Sequence, residues 1–155
     1  MRLEEQLQQT SFDNAMHRLR VDILYSAGWL ANQIKGFLSP YGITQKQFNI
    51  LRILRGAHPD MMPIEEVRNR MIDKSSDVSR ILDRLIQKKL VKKKPCTIDK
   101  RSNRVYITEQ GLDLLRQIDT NIQALDSITK NLNQQEAEQL CALLEKMRVG
   151  DQFDA

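Results

Sequence analysis

Between Asp73 and Ile107 the spacing of apolar residues changes period once, and this restricts the fold more than anything else in the chain. Val78, Ile81, Leu82, Leu85 and Ile86 recur at helical intervals and share one stripe. From Leu90 the pattern shortens. Leu90-Val91-Lys92-Lys93-Lys94 and Arg104-Val105-Tyr106-Ile107 read as two short strands, joined by a polar loop with Pro95, Asp99, Lys100, Ser102 and Asn103. A helix therefore leads directly into a small basic hairpin.

Helices surround this unit. Met16, Leu19, Ile23, Ala27, Leu30, Ile34 and Phe37 mark a long amphipathic helix over roughly 12–38, which Ser39-Pro40 stops. Thr44 with Gln47 is a capping box. It opens a second helix through Phe48, Ile50, Leu51 and Leu54 that ends by Gly56-Ala57-His58-Pro59. Pro63, followed by Glu65 and Glu66, starts a third to about Met71. Asp73 is expected to cap the fourth, leaving Ser75, Ser76, Ser79, Arg80, Asp83, Arg84 and Gln87 off its apolar stripe. Thr108 caps a fifth, with Leu115, Ile118, Ile122, Leu125 and Leu132 along it. As one rod from Leu112 to Lys130 it would be about 28 Å long. Asn133 with Glu136 is a second capping box and opens a last helix through Leu140, Leu144 and Met147.

The 155 residues carry 24 Lys+Arg against 20 Asp+Glu, a net charge of only +4. Residues 68–104 hold 13 and 4 of these, a local excess of +9, which leaves −5 for the remainder. Such polarity fits a polyanion partner. The window contains no Phe, Tyr or Trp, so base stacking of the kind single-strand binders use is disfavoured and duplex DNA is favoured. The composition is that of a folded soluble protein. No apolar run approaches the ~18 residues of a membrane span, and Met1 to Thr10 has no apolar leader core. Cys96 and Cys141 make no disulfide framework, so a cytoplasmic, reducing location is expected. Enzyme classes fail on inventory: there is no Gly-x-Ser-x-Gly, no Gly-rich phosphate loop and no His-Glu-x-x-His. No cofactor or metal site is expected, since His17 and His58 lack ligand spacing to each other or to a cysteine.

Two short helices joined by the tight turn Met71-Ile72-Asp73, then the hairpin, form a winged helix-turn-helix. A helix fits the major groove, and its solvent face carries the base-reading side chains. Here that face offers Ser75, Ser76 and Ser79 with Arg80 and Arg84, and the helix N-terminus near Lys74 and Ser75 suits a phosphate. Alternatively, Arg80 and Arg84 pair with Asp77 and Asp83. The hairpin brings Lys92, Lys100, Arg101 and Arg104 to an adjacent minor groove or backbone.

The run Gly42-Ile43-Thr44-Gln45-Lys46-Gln47-Phe48-Asn49-Ile50-Leu51 resembles the opening of helix 2 in the MarR (multiple antibiotic resistance regulator) family. Asp73-Lys74-Ser75-Ser76-Asp77-Val78-Ser79-Arg80 is similar to that family's recognition helix. Lys88 to Val91, Asp99-Lys100-Arg101, Val105 to Thr108 and Gly111 resemble its wing and exit. Met62-Pro63 departs from the family, which often has a Ser or Thr cap there. The resemblance implies that Arg101 enters the minor groove with Asp99 holding it or the loop. It also implies a homodimer that occludes promoters and releases DNA when a small molecule or oxidant arrives.

The expected fold is thus mostly α with a small β-hairpin wing. A winged helix-turn-helix occupies 42–111, between an N-terminal helix in 1–38 and C-terminal helices in 112–150 that serve dimerisation. The apolar stripe of the fifth helix outruns the central lobe and wants a partner helix; an intrachain three-helix bundle is the alternative. Two copies would face half-sites about one DNA turn apart, hence a pseudo-palindromic operator. Tyr25 and Trp29, off the main stripe, are candidates for a pocket between lobes that takes a small aromatic effector; plain dimer core is the alternative. Cys96, beside three lysines, is the candidate for an oxidant-sensing thiol or a thiol redox centre, although the family's redox branch carries its thiol in the N-terminal helix; a passive thiol is the alternative and the favoured reading. Cys141 reads as packing. The competing class is a winged helix that binds an acidic protein.

Overall fold

Asn14 sets the start of the long helix, because its side chain accepts the His17 amide at 2.9 Å. In the computed structural model, which describes residues 3–8, 11–95 and 103–149, a short helix α1 (Leu3–Leu7) precedes α2 (Ala15–Leu38). A 3₁₀ turn at Ser39–Tyr41 ends on Gly42, whose φ of 66° is left-handed and suits a residue without Cβ. The chain then enters α3 (Gln45–Ala57), where both halves of the Thr44/Gln47 capping box are formed.

Next come β1 (Met62–Pro63), α4 (Ile64–Arg70), α5 (Val78–Gln87), β2 (Val91–Pro95) and β3 (Asn103–Ile107). The chain ends in α6 (Glu109–Asp119), α7 (Ile122–Asp126), a 3₁₀ turn at Ser127–Thr129 and α8 (Gln134–Arg148). The sheet is antiparallel in the order β1-β3-β2. Its registers pair Met62 with Val105 and Val91 with Ile107. This is the mostly helical winged-helix architecture the patterning predicts. The two-residue β1 is an addition, too short for any period to announce.

One core unites the central lobe. Val78, Leu82 and Leu85 of α5 meet Ile50, Leu51 and Leu54 of α3, Val91, Val105 and Ile107 of the sheet, and Leu112, Leu115 and Ile118 of α6. Leu38, from the end of α2, is buried in the same cluster.

Two expectations fail. The single rod from Leu112 to Lys130 is broken at Thr120-Asn121. Asp119, Thr120 and Asn121 are weak helix formers whose side chains compete for backbone groups. The Thr120 hydroxyl donates to the Gln117 carbonyl, and Asn121 Nδ2 donates to the Tyr41 hydroxyl at 2.8 Å. Leu115 and Ile118 therefore belong to the lobe core and not to a free dimer stripe. The second failure concerns the fourth helix, which begins at Val78 with Asp77 as its cap, not at Asp73.

The close approach of α6 to the sheet rests on Gly111. A Cβ there would lie 2.5 Å from the Leu90 carbonyl oxygen and 2.6 Å from Ile107 Cγ1. Gly111→Ala should cost about 1–3 kcal/mol by overpacking. Gly56→Ala, in open space on α3, should gain about 0.5–1 kcal/mol. Urea unfolding of both variants checks this, and equal midpoints would refute the tight contact.

Candidate nucleic-acid interface

Burying Val78, Leu82 and Leu85 inward forces Ser79, Arg80, Asp83, Arg84 and Gln87 outward, and all five are exposed. Asp77 starts this helix by accepting the Arg80 amide at 3.1 Å. That carboxylate caps the backbone and holds no guanidinium. Among the described residues, no carboxylate lies within ion-pair distance of Arg80 or Arg84, whereas Arg18, Arg55, Arg68, Arg70 and Arg116 are all paired. The alternative in which Asp77 and Asp83 neutralise the α5 arginines is not formed.

The wing adds charge by alternation. Lys92 faces Tyr106 and Lys94 faces Arg104 across the β2–β3 ladder, so these side chains share its outer face. The Lys94 ammonium sits 5.7 Å from the Tyr106 ring centre. Lys94 is absent from the expected set although strand alternation pairs it with Lys92; that alternation was the available signal. Arg104 is half-buried, and among the described residues its Nε has no hydrogen-bond partner. Asp99, Lys100, Arg101 and Cys96 lie outside the described residues.

The remaining expected site residues sit ahead of α5. Lys74 donates to the Asn69 carbonyl in the last turn of α4. The Ser75 amide and hydroxyl both donate to Asp73 Oδ1, at 3.0 and 2.6 Å. Ser76 is buried. These three therefore occupy the turn and are not on the helix face with Ser79, Arg80 and Arg84. The connection between α4 and α5 runs from Met71 to Asp77, longer than the three-residue turn the sequence suggests.

A family model described as MarR family matches residues 43–103, from just before α3 to the start of β3. A mutant MarR of E. coli, solved with operator DNA, superposes with a TM-score of 0.78 at 27% identity, over 90% of this chain and 99% of that one. Over this central segment the chain is similar to the MarR family. The HTH-type transcriptional regulator MhqR of Bacillus subtilis (strain 168) is 26% identical over 108 residues, which are 69% of this chain and 73% of MhqR. The S. aureus MepR–DNA complex has the same fold, with a TM-score of 0.73 at 21% identity over 88% of this chain and 97% of that one.

In the N-terminal helices Tyr25 and Trp29 line a cleft of about 440 Å³ with Leu3, Gln6, Arg18, Asp22 and Ser26. The cleft is built by α1 and α2 alone, with no residue of the central lobe lining it. The Tyr25 hydroxyl donates to Gln6 Oε1 at 3.0 Å. Cys141 is a free, exposed thiol, not a packed one. Among the described residues no group of three or more His, Cys, Asp or Glu is arranged to hold a metal. None of the described helices is long and apolar enough to cross a membrane.

Lys46 and the two bonds from Ser75 hold the Asp73 carboxyl well below the usual carboxylate range. A folded value below the unfolded one means the contribution is present above the ordinary aspartate pKa of about 3.9 and is lost as pH falls below it. The stability gap between the unaltered protein and Asp73→Asn in urea should be constant near neutral pH and shrink below about pH 4. A gap unchanged down to about pH 3 contradicts it.

Proposed function

We propose that the chain is a sequence-specific, duplex-DNA-binding transcriptional regulator, acting as a homodimeric repressor that a small molecule releases. The observation that carries this is the α5 face, where Arg80 and Arg84 have no carboxylate partner among the described residues beside an outer wing face bearing Lys92, Lys94 and Arg104. An unpaired guanidinium on a groove-sized helix can take guanine O6 and N7 as a bidentate pair. The wing cations serve the phosphate backbone or minor groove, with Lys100 and Arg101 in the segment joining β2 to β3. The MarR of E. coli, with which this chain shares 27% identity, was solved on operator DNA.

In this reading residues 42–111, closed by α6, are the DNA-binding lobe, and 1–38 with the part of 112–150 beyond α6 supply dimer helices. Apolar side chains left uncovered on α2 (Met16, Leu19, Leu30) and α8 (Leu140, Leu143, Met147) support a second copy. Two copies would place two α5 helices on half-sites of a pseudo-palindrome. The chain needs no cofactor or catalytic residue for this role.

Arg80→Ala should lower affinity for a selected operator by about 1–3 kcal/mol while random-duplex affinity holds. Lys92→Ala should weaken both duplexes and flatten the salt slope by about one unit. Fluorescence titration across salt reads both effects. No duplex affinity at low salt would discard the reading in favour of an acidic protein partner.

The effector is a small aromatic molecule that stacks against Tyr25 and Trp29. Trp29 is the sole tryptophan, so its emission reports occupancy directly. Salicylate-like phenols should quench it and Tyr25→Ala should weaken the quench; unchanged emission at saturating phenol removes this site.

A further inference from the structure

The stretch from Met71 to Asp77 delivers the chain into the recognition helix, yet little of it is buried. Met71 and Ser76 pack inward, while Ile72 is 79% exposed. What holds the backbone comes from α3. Asn49 Oδ1 accepts the Ile72 amide at 3.0 Å. Lys46 Nζ lies 2.7 Å from Asp73 Oδ2, and the other oxygen of that carboxylate takes the Ser75 amide and hydroxyl. Lys46 and Asn49 are three apart, hence on one face of α3. That helix is itself anchored by its capping box and by the buried Gln47 beside them. The two groups thus grip consecutive residues of the turn from a rigid support.

We infer that Lys46, Asn49 and Asp73 form a brace that presets the entry of α5 into duplex DNA, so that all three are positioning residues and Lys46 is not a phosphate contact. The inference rests on the DNA-binding reading above. A largely exposed seven-residue connection left free would have to be ordered when DNA binds, which costs affinity. A connection already tied at Ile72, Asp73 and Ser75 avoids that cost. The Lys46 ammonium lies on the Asp73 carboxylate, so a phosphate contact from it would first have to break that pair.

The sign of one substitution separates this from plain electrostatics. Asp73 is a negative charge in the turn that leads into α5, so charge alone says that Asp73→Asn tightens binding to every duplex. The brace says that it loosens binding to the operator.

The test uses the full chain and Asn49→Ala, Asp73→Ala, Asp73→Asn, Lys46→Met and Lys46→Arg. In the free proteins, amide exchange by NMR should quicken about threefold to tenfold at Ile72 in Asn49→Ala and at Ser75 in Asp73→Ala, the loss of one amide hydrogen bond each. Operator affinity should fall by a similar factor relative to a random duplex, with the salt slope unchanged, and Lys46→Arg should keep it. Unchanged exchange at Ile72 and Ser75 overturns the brace. So does tighter operator binding by Asp73→Asn. A salt slope lowered by about one on both duplexes in Lys46→Met makes Lys46 a phosphate contact and overturns its positioning role. If the unaltered protein binds no duplex, the DNA reading fails and the positioning role with it, and the exchange data then describe a structural tie alone.

Discussion

Val78, Leu82 and Leu85 are almost wholly removed from water, against α3 on one side and the sheet on the other. A helix of only ten residues has little stability of its own, so α5 exists because this stripe is covered. Covering it has a geometric consequence: whatever occupies the opposite face must project outward on a fixed, rigid rod. The same core dictates the wing, since Val91, Val105 and Ile107 are the sheet's share of it and alternation sends Lys92, Lys94 and Arg104 to the other side. Gly111 lets α6 close the lobe from behind. Reading head and wing are two outer faces of one core.

The charge distribution follows the same logic. Arginines that support the lobe are paired, as with Arg55 and Asp119 at 2.5 Å between α3 and α6. Arg80 and Arg84 on α5 have no carboxylate partner among the described residues, and the wing's exposed cations on β2 follow them in the chain, so like charges gather in one stretch. A polyanion relieves the repulsion between like charges, and the relief falls away with salt. The chain's modest net charge of +4 conceals this polarity.

Features set by three or four consecutive residues were legible without the fold. Both capping boxes, Thr44 with Gln47 and Asn133 with Glu136, form as their spacing predicts. So do the α5 stripe and the β2–β3 hairpin. Features decided by a distant partner were not. Asp73 and Asp77 are both plausible caps for the helix that follows. What excludes Asp73 is Lys46 on another helix, which draws its carboxylate into the turn. The long rod that apolar spacing suggests breaks where Asn121 finds Tyr41, a partner 80 positions away. Helical periodicity can run on through a break, so the pattern alone gives no warning. Ser75 and Ser76 moved from helix to turn for the same reason, whereas Ser79, Arg80 and Arg84 kept their place because the stripe behind them fixed the face.

The central claim is geometric: two α5 helices, one from each copy, enter successive major grooves with the wings beside them. Hydroxyl-radical footprinting on a duplex selected from genomic fragments tests it most directly. Two protected patches related by a dyad and centred about ten base pairs apart, with flanking minor-groove protection from the wings, are the predicted outcome. A single patch without a dyad, or uniform protection that does not depend on Arg80 and Arg84, would contradict it.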